Sequence, residues 1–296
     1  MRMLSDCLAC LAVVRMKDVH KLFNDEQKRY EVASTVISMI KNLAIDRGIS
    51  SSPRVATAIF RWLKRVSGVS DPYASEKKLA DENALRIYRE LRRSVIEASP
   101  RERLYKAISL SAAGNALDLG VATYHPPSVE EVATLAKRKP PVGVESCIDA
   151  LLKARRIAVI LDNAGEAVLD RLLGDALLSL NKEVVAIVKS GAFQNDETMN
   201  DIRNSMLYES FSEVLPTGTD AASIFLEEIS ERTLEALRSS DIIVSKGMAN
   251  YEYISDVEEL LGKPVIYVLI AKCRPIALSL GVETMTLVAR LSRPTA

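Results

Sequence analysis

The sequence predicts a mainly helical half followed by an α/β half built on a mainly parallel sheet with helices on both faces. Three observations predict it. Up to about residue 152, apolar residues recur at three- and four-residue steps between helix start and stop signals. Beyond it, short unbroken apolar runs alternate with helical segments, as strands buried on both faces do. No internal repeat, low-complexity tract or long linker interrupts the 296 residues. At roughly 100–200 residues per domain this length suits one large or two modest domains, and the division is drawn at 1–152 and 153–296.

Each element has a local cause. Asn24-Asp25 precedes a periodic run over 26–46, with Val32, Val36, Met39, Ile40 and Leu43 on one face and Gly48 as its stop. Ser52-Pro53 opens a helix with Ile59, Leu63 and Val66 as its stripe, because proline loses nothing in a first turn; Gly68 ends it. A long helix over 75–98 carries Leu79, Ile87, Leu91 and Val95 among many charges, and Pro100 breaks it. A further helical stretch leads into S-A-A-G-N-A-L-D-L-G-V at 111–121. Ser128 then caps a short helix with Glu130 and Glu131 in its first turn. Strands are expected at 157–161, 183–188, 241–245 and 264–270, a weaker one at 213–215, and a helix at 166–179.

Composition excludes several function classes. The chain has 39 basic and 39 acidic side chains, which argues against a basic nucleic-acid groove. Two histidines, His20 and His125, leave a His-rich metal site or a Ser/His/Asp triad hard to staff, and both read as ordinary. A metal here is therefore expected among oxygens. The N-terminal apolar run is short, interrupted by Asp6 and followed by Arg15, Lys17 and Asp18, so it reads as a poor signal peptide. No run reaches the roughly 18 apolar residues of a membrane helix, and the four cysteines form no secreted disulfide framework. The expectation is a cytoplasmic protein with neither nucleic-acid nor membrane partners, of open oligomeric state.

Ligands of open parallel sheets bind beyond the carboxyl ends of the strands. The unusual residues stand at those points: Asp162-Asn163-Ala164-Gly165-Glu166, Lys189 through Asn195-Asp196, Ser245-Lys246-Gly247-Met248-Ala249-Asn250, and Ala271-Lys272-Cys273-Arg274-Pro275. One such cluster is an ordinary helix cap or turn. Four at successive strand ends suit a hard divalent cation held by oxygens beside a phosphate held by lysine and backbone N–H groups. The chain lacks a G-x-x-x-x-G-K-[ST] loop, a G-x-G-x-x-G turn after its first strand, and the Asp-x-Asp of phosphoaspartate hydrolases, since Ala164 follows Asp162 by two.

At D-N-A-G-E (162–166), N-D (195–196), S-K-G-M-A-N-Y-E (245–252) and A-K-C-R-P (271–275), together with A-G-N-A-L-D-L-G (113–120) and C-L-A-C (7–10), the chain resembles the metal-dependent damage-control phosphatases. These were long called domain-of-unknown-function family 89, with one branch named acidic residue methyltransferase. The ordered set spans nearly the whole chain, and the C-x-x-C and K-C-x-P elements are most similar to the archaeal and bacterial branch. The resemblance implies a helical N-terminal domain packed on a Rossmann-like three-layer α/β/α domain, with the active site between them. It implies that Asp162, Asn163 and Asp196 hold a divalent metal, Mn²⁺ or Ni²⁺ first, with Co²⁺ or Mg²⁺ as alternatives. Lys272 would contact the substrate phosphate, Asn115 and Asp118 would reach in from the helical half, and Lys246, Gly247 and Asn250 would shape the pocket. Gly191, in the variable 190–193 segment, would also bind substrate. Met248-Ala249 departs from the polar or acidic residue common in relatives.

The implied reaction is hydrolysis of a small-molecule phosphate ester, a sugar phosphate or damaged nucleotide, in metabolite damage control. Asp162, Asp196 and Lys272 would carry it, with Glu166 or Asp118 orienting the water; a covalent Asp162 phosphoenzyme is the competing chemistry. Carboxyl methyl transfer and a catalytically silent nucleotide- or sugar-phosphate-binding module are the other function classes. Cys7 and Cys10 fit core packing in a Leu4, Cys7, Leu11, Val14 stripe, and their spacing also fits a metal or redox pair; Cys147 reads as a buried helix residue.

Overall fold

The computed structural model describes residues 1–118, 120, 122 and 127–292. His125 lies outside the described residues, and His20 is exposed near the end of the first helix.

Three helices come first: α1 (Ser5–Leu22), α2 (Glu26–Ile40) and α3 (Ser52–Ser67). Asp25 caps α2 by accepting from Lys28 N, and the run continues into a π-helical turn over Lys41–Asp46, reaching the bound the periodicity sets. Leu11, Val19, Val32, Val36, Ile59 and Leu63 close these helices into a core of their own. Next come α4 (Ala74–Ile96), α5 (Pro100–Gly114), α6 (Val129–Arg138) and α7 (Val144–Lys153). Pro100 thus ends one helix by starting another, in the first turn of α5 where its missing N–H costs nothing. Ser128 and Glu131 cap α6 reciprocally.

The rest alternates: β1 (Arg156–Ile160), α8 (Glu166–Leu178), β2 (Glu183–Val188), α9 (Ile202–Ser205), β3 (Glu213–Pro216), α10 (Glu231–Ser239), β4 (Ile242–Lys246), α11 (Met248–Ile254), α12 (Glu258–Leu261), β5 (Val265–Ile270), α13 (Arg274–Leu280) and β6 (Leu287–Ser292). The six strands lie in the order β3-β2-β1-β4-β5-β6. All pairs are parallel except β5 with β6. The antiparallel β6 has no counterpart in the sequence reading, because its exposed Arg290 and half-buried end blur the apolar run that marks the other strands.

Successive strand residues face opposite layers. Ile157 and Val159 of β1 join the core beneath α4–α8, whereas Ala158 and Ile160 join the core beneath α11 and α13. The first core runs unbroken from Ala84 to Ala289, so it crosses residue 152. Helix α8 is why: α4 and α5 cover its outer side, and every residue from Glu166 to Leu177 is buried. Its polar residues are accordingly paired. Arg171 donates to Ser210, to the Ser205 carbonyl and to Glu209, while Asp175 accepts from Tyr88 and Arg92. Leu172→Ala, at a fully buried position of α8, is expected to cost about 2–5 kcal/mol, read as a shift in the urea midpoint without a change in slope.

Candidate active site at the switch point

The strand order switches sides between the parallel β1 and β4: β2 and β3 lie on one side, β5 and β6 on the other. Such a switch opens a crevice beyond the strand ends. A cavity of about 130 Å³ lies there, lined by Asp118, Asp162, Asn163, Asp196, Gln194 and Glu252 among its polar groups and by Arg15, Cys7 and Cys10 from α1.

The loop after β1 is held from two sides. The Asp162 carbonyl accepts from Glu197 N at 2.8 Å and Ala164 N donates to the Asn195 carbonyl at 2.8 Å, which zips Asn163 against Asp196. Gly165 takes a φ of +76°, where its N–H meets Asp81 Oδ1 at 2.7 Å and Ala80 leaves no easy room for a side chain. Gly247 after β4 has a φ of +77°, and a Cβ there would stand 1.9 Å from Asp162 Oδ2. Gly247→Ala is therefore expected to displace the Asp162 carboxylate and to lower any turnover that depends on its placement about 10²-fold.

Asp162 is the hub. Its Oδ2 accepts from Asn115 Nδ2 at 3.2 Å and from Asn163 Nδ2 at 2.9 Å. The same two amides reach Glu166, at 3.1 and 2.7 Å, and Asn115 Oδ1 accepts from Ile270 N at 3.1 Å. Glu166 is fully buried and lies behind the cavity wall, with Lys246 Nζ 3.0 Å away. Lys246 also meets Asp170 at 3.0 Å and the Ser111 carbonyl and hydroxyl at 2.5 and 2.8 Å. Asn250 ties the Lys246 and Leu161 carbonyls together and accepts from Ser223.

The residues singled out by sequence thus divide. Asp118, Asp162, Asn163 and Asp196 line the cavity. Asn115, Glu166, Lys246 and Asn250 form the layer that positions them. Lys272 pairs with Asp118 at 2.6 Å with no exposed side-chain surface. Gly191 lines a different depression, with Lys64 and Gly68. Met248, Ala249 and Phe193, from the two segments that depart from or vary among relatives, do line the cavity. Arg15, Asp81 and Asp170 are additions that sequence reasoning missed. The available signal for Arg15 was a cation within the apolar stripe of Leu11 and Val14.

Charge governs the electrostatics. Burial, then the neighbouring Glu166, Asp196 and Asp118, push the Asp162 carboxyl well above the ordinary carboxylate range. Burial likewise pushes Asp196 up to about 7 and Asp170 up to about 7. Burial pulls the Lys189 ammonium down; it lies 3.6 Å from Asp196 and makes no hydrogen bond among the described residues. Two carboxylates and an amide, crowded where their charge is underpaid, suit a hard cation. Among the described residues, no group of three or more histidine, cysteine or carboxylate side chains is arranged to hold a metal, so any metal here relies on the amide as well. All four cysteines are free thiols; Cys7 and Cys147 are buried, and Cys273 joins Cys7 and Cys10 at the cavity.

Comparison with known proteins gives one consistent result. A family model described as the damage-control phosphatase ARMT1-like domain matches residues 3–288. A protein of Archaeoglobus fulgidus named damage-control phosphatase is 32% identical over 291 residues, covering 96% of this chain and 97% of that protein. An uncharacterized protein of Methanocaldococcus jannaschii is 30% identical over 282 residues, 94% of this chain and 91% of its own length. A damage-control phosphatase of Pyrococcus horikoshii is 27% identical over 291 residues, covering 97% of each. The crystal structure of a DUF89 family protein from Pyrococcus horikoshii superposes with a TM-score of 0.84 at 23% identity, over 98% of this chain and 99% of that one, so the fold is shared.

Proposed function

Because the chain belongs to the damage-control phosphatase ARMT1-like family, we propose that it is a metabolite damage-control phosphatase that hydrolyses small-molecule phosphate esters with a divalent metal at Asp162, Asn163 and Asp196. Sugar phosphates or damaged nucleotides are the substrate class, and the cytoplasm is the setting. Mn²⁺ or Ni²⁺ is the first choice of metal, with Co²⁺ or Mg²⁺ as alternatives.

The observation that carries the reading is the sign of the cavity. Its walls hold Asp6, Asp118, Asp162, Asp196 and Glu252 against Arg15 as the one cation among the described lining residues. Once these carboxylates are ionised, a phosphate dianion entering such a wall is repelled unless a cation joins it. When bound, the metal supplies charge neutralisation for the phosphoryl oxygens and Lewis acidity. The chain's own residues do the rest. Asn115 and Asn163 fix the Asp162 oxygens, and Glu166, locked by Lys246, fixes both amides. Asp118 lines the cavity and pairs with Lys272 at 2.6 Å. Asp118 is the group assigned to accept a proton from the attacking water, and Lys272, held against it, is the lysine assigned to balance phosphate charge. Water oxygen bonds to phosphorus as its proton passes to Asp118, the P–O ester bond breaks, the leaving oxygen takes that proton to become an alcohol, and inorganic phosphate is the second product.

Metal-stripped protein is expected to release no phosphate from an aryl phosphate, and activity should return with Mn²⁺, Ni²⁺, Co²⁺ or Mg²⁺. Absence of metal-dependent turnover would refute the reading. A trapped phosphoenzyme would replace direct water attack with the covalent Asp162 route.

A further inference from the structure

Arg15 is 1% exposed, on a helix that the assigned site does not use. Its guanidinium carbon lies 5.5 Å from the ring centre of Phe60 and 5.6 Å from that of Phe193. Nε faces Asp18 Oδ2 at 3.0 Å as an ion pair without hydrogen-bond geometry, and Nη1 donates to the Ala56 carbonyl at 3.3 Å. Asp18 is itself held by the Tyr73 hydroxyl at 2.5 Å. Nη2 has no hydrogen-bond partner among the described residues, although Arg15 lines the cavity. One nitrogen is thus hydrogen-bonded, a second is ion-paired, two rings flank the guanidinium, and the third nitrogen keeps its N–H groups unspent on a residue that lines the cavity.

The lysines at the strand ends differ. Lys246 answers Glu166 and Asp170, Lys272 answers Asp118, and Lys189 lies nearest Asp196. Each offsets a carboxylate of the site or of the layer behind it. The counter-charge of Arg15 is Asp18, which is not on the cavity wall. We propose that Arg15 is a substrate-binding residue whose Nη2 edge takes an anionic phosphoryl oxygen of the ester, and of the inorganic phosphate product, from the helical side of the cavity. Arginine suits this task because it stays protonated at every working pH and donates in a fixed plane. Burial between aromatic faces strips water from the cation and strengthens its bond to an anion. The proposal rests on the phosphatase reading and adds a residue to it.

The test uses the full chain with Mn²⁺ and an aryl phosphate, with inorganic phosphate as the competing inhibitor. Arg15→Gln is expected to raise both KM and the phosphate inhibition constant at least about tenfold, and Arg15→Lys at least about threefold, with kcat changing less. A merely structural Arg15 would lower the melting temperature and the active fraction while leaving both constants unchanged; that result overturns the proposal. Should the Arg15 variants fail to fold, Phe193→Leu removes one ring face and keeps the charge. Its phosphate inhibition constant is expected to rise at least about threefold, and an unchanged constant overturns the proposal. If the wild-type protein turns over and the constants do not move, only the role of Arg15 falls. If the wild-type protein releases no phosphate with any metal, the phosphatase reading falls and takes this proposal with it.

Discussion

Asp162→Asn is expected to lower kcat/KM by about 10²–10³-fold while raising the melting temperature of the metal-free protein at pH 8. Both effects come from one placement. Asp162 is 5% exposed, and Asp196, Asp118 and Glu166 all press its carboxyl toward the neutral form. Asparagine keeps the shape and removes the charge, so the repulsion disappears. The same change removes an anionic donor at the point where two amides from separate elements, Asn115 and Asn163, converge. Calorimetric metal titration, phosphate release and thermal melting read the three consequences on one sample. Full turnover in Asp162→Asn would sink the site assignment. A lower metal-free melting temperature would show that the hydrogen bonds outweigh the crowded charge.

Metal-free protein is also expected to lose stability as pH rises from about 5 to about 8. Asp196 and Asp170 are pushed up to about 7, in each case chiefly by burial. Asp81 is also pushed up to about 7 by burial. Unfolded, each ionises near 4. Between those values the folded chain binds more protons than the unfolded one, so stability falls with rising pH through that window. The surface carboxylates paired with arginine, such as Asp149 and Glu227, have pKa values below their ordinary ones. They act in the opposite sense, but at lower pH. A fall of at least about 4 °C in melting temperature between pH 5.5 and pH 8 is expected, and saturating Mn²⁺ should flatten it by favouring the ionised carboxylates. A melting temperature that is constant or rising across the window would contradict the burial of uncompensated charge.

The site was legible where chemistry is written in contiguous residues. D-N-A-G-E and S-K-G-M-A-N follow apolar strands, and the parallel-sheet rule sends both to one crevice; the β1–β4 pairing meets that expectation. The division between cavity wall and supporting layer was not legible. Glu166 and Asp162 share one loop, yet one is locked behind the wall by Lys246 while the other lines it. That difference depends on Ser111 and Asp170, on α5 and α8, meeting the same lysine.

The sequence by itself determined the strands as far as β5 and their alternation with helices, though not β6, and the strand ends that carry carboxylates, amides and lysines. Period, capping residues and breakers act over a few residues, so one dimension suffices for them. Tertiary structure alone decided that the core crosses residue 152, that α8 is enclosed on every side, and that Arg15 reaches the cavity. Those outcomes depend on which buried charge meets which partner across more than a hundred residues of chain, as Lys246 meets Ser111 and Lys272 meets Asp118. Such pairings are selected by the cost of leaving a buried charge unanswered, a cost that exists only once the surrounding elements have excluded water.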